Sequence, residues 1–229
     1  MLSKYEIAQM IDLSAVQPNA TVAELHDVAK TAIEYNCICV FALPSLTPVL
    51  VDLLKDYPKI LIGGVVGFPD GGATTAGKVA EAKELKEMGC NELDMVINIG
   101  KVKSGLWDEV KADIQAVKNE AGDTPLKVIF ECHYLTDEEI VKACEVCCEV
   151  GVTWVKTGTG WAETGATLEN TKIMKDSVGD RCKVKAAGGV RSLETLLAMY
   201  DIGVRRFGIG VRTAKAILDD QELGDDVKY

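Results

Sequence analysis

Apolar and polar positions along the chain follow two alternating periods. Short runs rich in β-branched and apolar residues recur at Ile7 to Leu13, Ile38 to Ala42, Ile60 to Gly67, Glu92 to Asn98, Leu126 to Cys132, Val152 to Thr157, Lys183 to Ala187 and Arg205 to Ile209. Such runs, bounded by turn residues, predict strands. Between them, Thr21 to Asn36, Thr75 to Met88, Trp107 to Ala121, Asp137 to Val150, Leu168 to Ser177 and Ser192 to Ile202 repeat their apolar positions at helical spacing. Strands alternating with helices predict a parallel sheet, and eight such units in 229 residues point to an α/β fold, a (β/α)8 TIM barrel. A chain of this length forms a barrel as one domain, here residues 1–229. An open, doubly wound sheet is the alternative. It carries a glycine fingerprint after its first strand, whereas this chain reads Asp12-Leu13-Ser14-Ala15-Val16.

Side chains alternate faces along a strand, so the apolar set packs under the helices and the remainder points into the barrel. In the fourth strand Leu93, Met95 and Ile97 then face the helices, which turns Asp94 inward. In the fifth, Leu126, Val128 and Phe130 face out, leaving Lys127 and Glu131 inside. Val155 and Val184 face out on the sixth and seventh strands, which puts Lys156 and Lys185 in the lumen. Buried charges are costly unless paired. Asp94, Lys127, Lys156 and Lys185 therefore form a candidate network at the C-terminal ends of the strands, where barrels place their active sites. For Asp94 and Lys127 a purely structural ion pair is the competing reading.

Composition narrows the class. Lys and Arg total 25 against 35 Asp and Glu, a formal charge of −10, and no basic run offers a nucleic-acid surface. No stretch is long and apolar enough to cross a membrane, and the N-terminus lacks the apolar run of a signal peptide. The expectation is a soluble, cytoplasmic protein. Its eight cysteines are expected as reduced thiols, and the Cys144, Cys147, Cys148 cluster lies at helical spacing among apolar residues, as core does. With only His26 and His133 besides, no metal-binding constellation is formed, and none is expected.

The two inward lysines share a phrase: Val155-Lys156-Thr157-Gly158-Thr159-Gly160 and Val184-Lys185-Ala186-Ala187-Gly188-Gly189. Their separation of about thirty residues is one strand, one helix and the next parallel strand, so the ammonium groups emerge side by side. Burial and a second positive charge both lower a lysine pKa from its usual ~10.4, and a neutral amine is a nucleophile. The pattern suggests Schiff-base chemistry, with solvated strand-end lysines as the plainer reading.

These phrases, together with Asp12-Leu13-Ser14, Val65-Val66-Gly67-Phe68-Pro69 and Leu93-Asp94-Met95-Val96-Ile97-Asn98-Ile99-Gly100, resemble the deoxyribose-phosphate aldolases over essentially the whole chain. The resemblance implies a lyase that reversibly cleaves 2-deoxy-D-ribose 5-phosphate to acetaldehyde and D-glyceraldehyde 3-phosphate, without metal or organic cofactor. It implies that Lys156 forms the Schiff base, Lys185 lowers its pKa, and Asp94 moves protons through a water, with Lys127 helping to orient Asp94. Asp12, Ser14, Thr157, Gly158, Gly160, Gly188, Gly189 and Gly210 would meet the substrate. Family members are often dimers, so a homodimer is the assembly it suggests. Some end in tyrosine that assists proton transfer, which points to Tyr229.

The eighth strand departs from the family pattern. Phe207-Gly208-Ile209-Gly210-Val211-Arg212 lacks the serines whose hydroxyls usually meet the phosphate. Arg212 could supply charge in their place and backbone N–H groups the donors. A different aldehyde or sugar-acid substrate handled by the same chemistry remains open, as does a barrel that binds a sugar phosphate without catalysis.

Overall fold

The structure is a computed structural model that describes residues 2–219. Strands β1 (Ile11–Ala15), β2 (Cys39–Ala42), β3 (Leu61–Val66), β4 (Glu92–Val96), β5 (Leu126–Ile129), β6 (Trp154–Lys156), β7 (Lys183–Ala187) and β8 (Val204–Ile209) pair in parallel in chain order. β8 pairs back to β1 through Ile11 with Phe207 and Leu13 with Ile209, so the sheet closes into the expected (β/α)8 barrel. Around it lie α1 (Lys4–Ala8), α2 (Val22–Tyr35), α3 (Thr47–Leu54), α4 (Thr75–Glu87), α5 (Ile99–Lys103), α6 (Trp107–Ala121), α7 (Asp137–Val150), α8 (Leu168–Val178), α9 (Leu193–Ile202) and α10 (Val211–Leu218). None of the described helices is long and apolar enough to cross a membrane.

Local chemistry explains most boundaries. Thr21, Thr136 and Thr167 each accept a backbone N–H at a helix start, and the residue three further on, Glu24, Glu139 or Asn170, bonds back to the cap. The short helices α1, α3 and α5 lie outside the helices read from the sequence. The first strand was expected from Ile7, but Ser3 and Glu6 form a capping box that turns Lys4–Ala8 into a helix, and the strand starts at Ile11. α3 was not expected. Its Leu50 and Leu54, four residues apart, bury one face, while Pro48 takes a first-turn position where its missing N–H costs nothing.

Apolar burial falls into two separate bodies, one on each side of the sheet. Leu93, Met95, Val128, Phe130, Val155 and Val184 pack outward against helix residues such as Val110, Ile114, Ile140, Cys144 and Cys147. The cysteines are free thiols, and Cys144 and Cys147 are core residues as their spacing indicated. Inside the barrel a smaller cluster contains Val16, Cys39, Phe41 and Val65. Its centre is the Phe41 ring, which lies where a Cβ on Gly63 would stand, 2.1 Å from that position. A side chain at residue 63 would evict Phe41 from the lumen.

Outside the lumen, one further charge pair is fully buried. Lys78 on α4 donates to Asp113 Oδ2 on α6 at 2.6 Å and to the Val96 carbonyl at the end of β4 at 3.0 Å. Thr75 completes the carboxylate's shell at 2.7 Å. Breaking such a pair strands a charge in the interior. Asp113→Ala should therefore destabilise the fold by about 3–5 kcal/mol in urea denaturation. Lys78→Met with Asp113→Leu, which removes both charges, should recover most of that loss.

Candidate functional site

Asp94 organises the polar side of the lumen. β4 and β5 pair in a register that sets Asp94 beside Lys127, and β6 and β7 pair Lys156 directly with Lys185. Lys127 Nζ donates to Asp94 Oδ1 at 2.9 Å, while Lys156 and Lys185 both donate to Oδ2, each at 2.8 Å. Below them the ladder continues. Lys127 also donates to Glu92 Oε2 at 2.7 Å, and Arg206 grips Glu92 Oε1 at 2.9 Å and Asp12 Oδ1 at 2.7 Å. Lys185 closes the circuit on Asp12 Oδ2 at 2.5 Å. Phe41 lies under the ammonium groups, its centroid 4.4 Å from Lys185 Nζ and 5.8 Å from Lys156 Nζ.

The ladder contains four cations, Lys127, Lys156, Lys185 and Arg206, bridged by three carboxylates, Asp12, Glu92 and Asp94. Lys127, Lys185 and Arg206 each touch two of those carboxylates, whereas Lys156 touches one and shares that oxygen with Lys185. Loss of one proton balances the group, and Lys156 is the cation with the fewest carboxylate contacts. Its pKa is lowered to about 8, chiefly by burial, with the Lys185 charge adding to the shift and Asp94 opposing it. Burial alone would raise the Asp94 pKa, yet the surrounding ammonium groups hold it well below the usual carboxylate range. Asp94 thus stays ionised. Lys127 is held above its usual value, because Asp94, Asp12 and Glu92 together outweigh its burial.

A cavity of about 550 Å³ opens from Lys156 toward the C-terminal ends of the strands. Asp12, Ser14, Lys156, Gly160, Lys185, Gly188, Gly210 and Arg212, all singled out in the sequence, line it. Asp94 and Lys127 lie beneath its floor and do not contact it; Lys127 is an ion-pair partner that fixes Asp94. Thr157 does not face the cavity as expected. Its hydroxyl donates to the Ala187 carbonyl at 2.8 Å and accepts that residue's N–H at 2.9 Å, fastening β6 to β7. Gly158 and Gly189 stand behind the lining. Tyr229 lies outside the described residues.

Sequence reasoning did not single out Glu92, Arg206 or Phe41. Alternation offered a signal for the first two: Glu92 is two residues before Asp94, and Arg206 precedes the outward Phe207. Their pairing depends on β8 lying next to β1 and across from β4, which no local pattern reveals. Asp12, Cys39 and Glu92 converge closely enough to suggest a metal site. Arg206, Lys127 and Lys185 already occupy the two carboxylates, so the local cationic charge is the protein's own.

A family model of DeoC/LacD family aldolases matches residues 7–219. The chain belongs to this family. It is accordingly a lyase, and its relatives agree over nearly their full length. It is 46% identical over 220 residues to a deoxyribose-phosphate aldolase of Klebsiella pneumoniae, covering 95% of this chain and 88% of that one. Identity to the deoxyribose-phosphate aldolase of Carboxydothermus hydrogenoformans is 41%, over 99% of this chain and all of the relative. Among solved structures, an aldolase designated QR15 superposes with a TM-score of 0.87 at 34% identity, covering 93% of this chain and 95% of that one. The tetrameric deoxyribose-phosphate aldolase of Aeropyrum pernix superposes at 0.84 with 25% identity, over 95% and 92%.

In this DeoC/LacD family aldolase the Lys156 pKa is lowered to about 8. Trace acetylation of the folded protein, read by mass spectrometry, should give a Lys156 rate that rises with pH and is half-maximal near pH 8. Lys185→Met removes a neighbouring cation and should move that midpoint upward; a downward shift would contradict the electrostatic assignment.

Proposed function

We propose that the chain is a class I aldolase that reversibly cleaves 2-deoxy-D-ribose 5-phosphate to acetaldehyde and D-glyceraldehyde 3-phosphate. The observation that carries this reading is the uneven ladder, which leaves Lys156 as a reactive amine at the floor of an open cavity. Neutral Lys156 attacks the C1 aldehyde of the open-chain sugar, and loss of water from the carbinolamine gives an iminium. That cation draws the electron pair of the C2–C3 bond as the C3 hydroxyl loses its proton, which releases glyceraldehyde 3-phosphate and leaves an enamine. Protonation of the enamine carbon and hydrolysis of the resulting iminium release acetaldehyde and restore the amine.

Each ladder member has a role in this cycle. Asp94 Oδ2, ionised and within hydrogen-bonding distance of Lys156 and Lys185, accepts and returns the proton through a water as the carbinolamine collapses. Lys185 keeps the amine pKa low through its neighbouring charge. Lys127 holds Asp94 Oδ1, so the carboxylate cannot rotate when its other oxygen changes partners. Tyr229 is assigned to assist enamine protonation, on the family resemblance alone.

The phosphate end is read from a row of glycines. Gly160, Gly188 and Gly210 stand at the ends of β6, β7 and β8 and line one side of the cavity, where backbone N–H groups can approach an anion. Gly210 caps α10 without a side-chain hydrogen bond, leaving the helix start free for a ligand, and Arg212 and Lys215 add positive charge. Arg212 replaces by charge what the missing serine hydroxyls would have donated. A phosphorylated intermediate of this kind belongs in the cytoplasm.

Borohydride reduction in the presence of acetaldehyde should attach an ethyl group to Lys156 and abolish activity, whereas Lys156→Leu should resist labelling. A protein that binds sugar phosphates without catalysis would not be labelled. Turnover of deoxyribose 5-phosphate should exceed that of deoxyribose by orders of magnitude, and Arg212→Leu should raise KM for the phosphorylated sugar roughly tenfold. Equal turnover of the two sugars would instead favour an unphosphorylated aldehyde as the natural substrate.

A further inference from the structure

Glu131 is a buried carboxylate that neither the ladder nor the Lys78–Asp113 pair uses. It follows β5 in the left-handed region, at φ 51° and ψ 64°, a conformation that residues with a Cβ seldom adopt. Such outliers persist where the surroundings over-determine them and cluster at functional sites. The reversal aims its carboxylate at the loop after β6. There it accepts the Thr159 N–H, 3.3 Å from Oε1 and 3.2 Å from Oε2, and the Thr159 hydroxyl on Oε2. A Cβ on Gly158 would lie 2.7 Å from Oε1, so the glycine in that phrase makes room for this carboxylate.

The same hydroxyl continues the chain outward. Thr159 Oγ1 accepts the Trp161 backbone N–H at 3.0 Å, and Trp161 Nε1 donates to the Val16 carbonyl after β1 at 2.9 Å. The Trp161 ring also meets Phe68, after β3, edge-on at 5.8 Å between centroids. β6 is separated from β1 by β7 and β8 in the barrel, so Trp161 reaches across the mouth instead of along its rim. Neither Glu131 nor Trp161 lines the cavity, but Thr159 and Gly160 between them do, as do Val16 and Phe68 at the far end.

We propose that Glu131 and Trp161 are positioning residues at the two ends of one clasp that fixes Gly160 in line with Gly188 and Gly210. Resting on the function proposed above, this deepens it: the clasp serves the phosphate-bearing half of the substrate and leaves the chemistry at Lys156 alone. Glu131 supplies two acceptor oxygens to one residue, and an amide in its place would turn a donor toward a donor. Trp161 anchors the loop to the opposite wall, so its effect should pass through the same glycine.

Glu131→Gln should raise KM for deoxyribose 5-phosphate about tenfold, while Lys156-dependent deuterium exchange into the acetaldehyde methyl group stays within twofold of the parent. Trp161→Phe, which keeps the ring and removes the donor, should raise KM about threefold, again with exchange preserved. Because both act on one clasp, the double variant should show no more than the Glu131→Gln effect. Parallel loss of exchange and KM would assign Glu131 to the electrostatics of Lys156 and overturn the proposal, as would an unchanged KM or a fully multiplicative double variant. If the parent exchanges acetaldehyde protons but ignores deoxyribose 5-phosphate, the substrate reading fails. The clasp is then decided by amide hydrogen exchange at Thr159 and Trp161, which Glu131→Gln should accelerate at least tenfold; unaltered protection would sink it.

Discussion

One surplus positive charge in the ladder governs the site. A lumen filled with apolar side chains would be easier to stabilise, since burying ions costs several kcal/mol each before partners are found. Here every carboxylate oxygen of the ladder meets a cation, and Lys156, which lines the cavity together with Lys185, is the cation with the fewest carboxylate contacts. Shedding its proton relieves the excess at the one position where an amine is also useful. Buried-charge pairing and access are therefore coupled: the amine with the fewest carboxylate contacts in the ladder lines the cavity.

The rest of the architecture protects that arrangement. Phe41 occupies the volume left by Gly63 and sets its ring against the ammonium groups of Lys127, Lys156 and Lys185 where they approach the cavity. Thr157 locks β6 to β7 at the level of the two lysines. Lys78 reaches from α4 to the Val96 carbonyl, two residues beyond Asp94, and ties the end of β4 to α6 through Asp113. Such contacts act on distance and orientation, to which charge-assisted bonds between rigid strands respond most.

What was legible in the sequence was whatever a strand or helix writes locally. Alternation placed Asp94, Lys127, Lys156 and Lys185 inside, because the outward partners Leu93, Val128, Val155 and Val184 are unmistakably apolar. Ile7 misled because it is an inward-packing residue of a short helix, and one apolar side chain ahead of a strand looks like part of it. Ser3 and Glu6 held the correcting signal. Arg206 and Glu92 were harder. Each is a charged residue in a strand, but their meeting depends on barrel closure, a property of the whole sheet. A threonine after a lysine and before a glycine looks like a ligand contact, whereas the Thr157 hydroxyl bonds the neighbouring strand at Ala187.

Deep and shallow parts of the site answer to different constraints. At the strand level, side chains are fixed by register, and substituting one unbalances a closed circuit of charges. At the loop level, Gly160, Gly188 and Gly210 line the cavity, and the segment around Gly160 is held by bonds from Glu131 and Trp161, which do not line it. Recognition can therefore drift without disturbing the ladder. Arg212 stands on the first turn of α10 and lines the same cavity as the glycine row, so on the proposed function the anion's charge is met at the rim and not by the ladder. A substitution at the rim leaves the strand-level ion pairs intact, whereas one in the ladder breaks them.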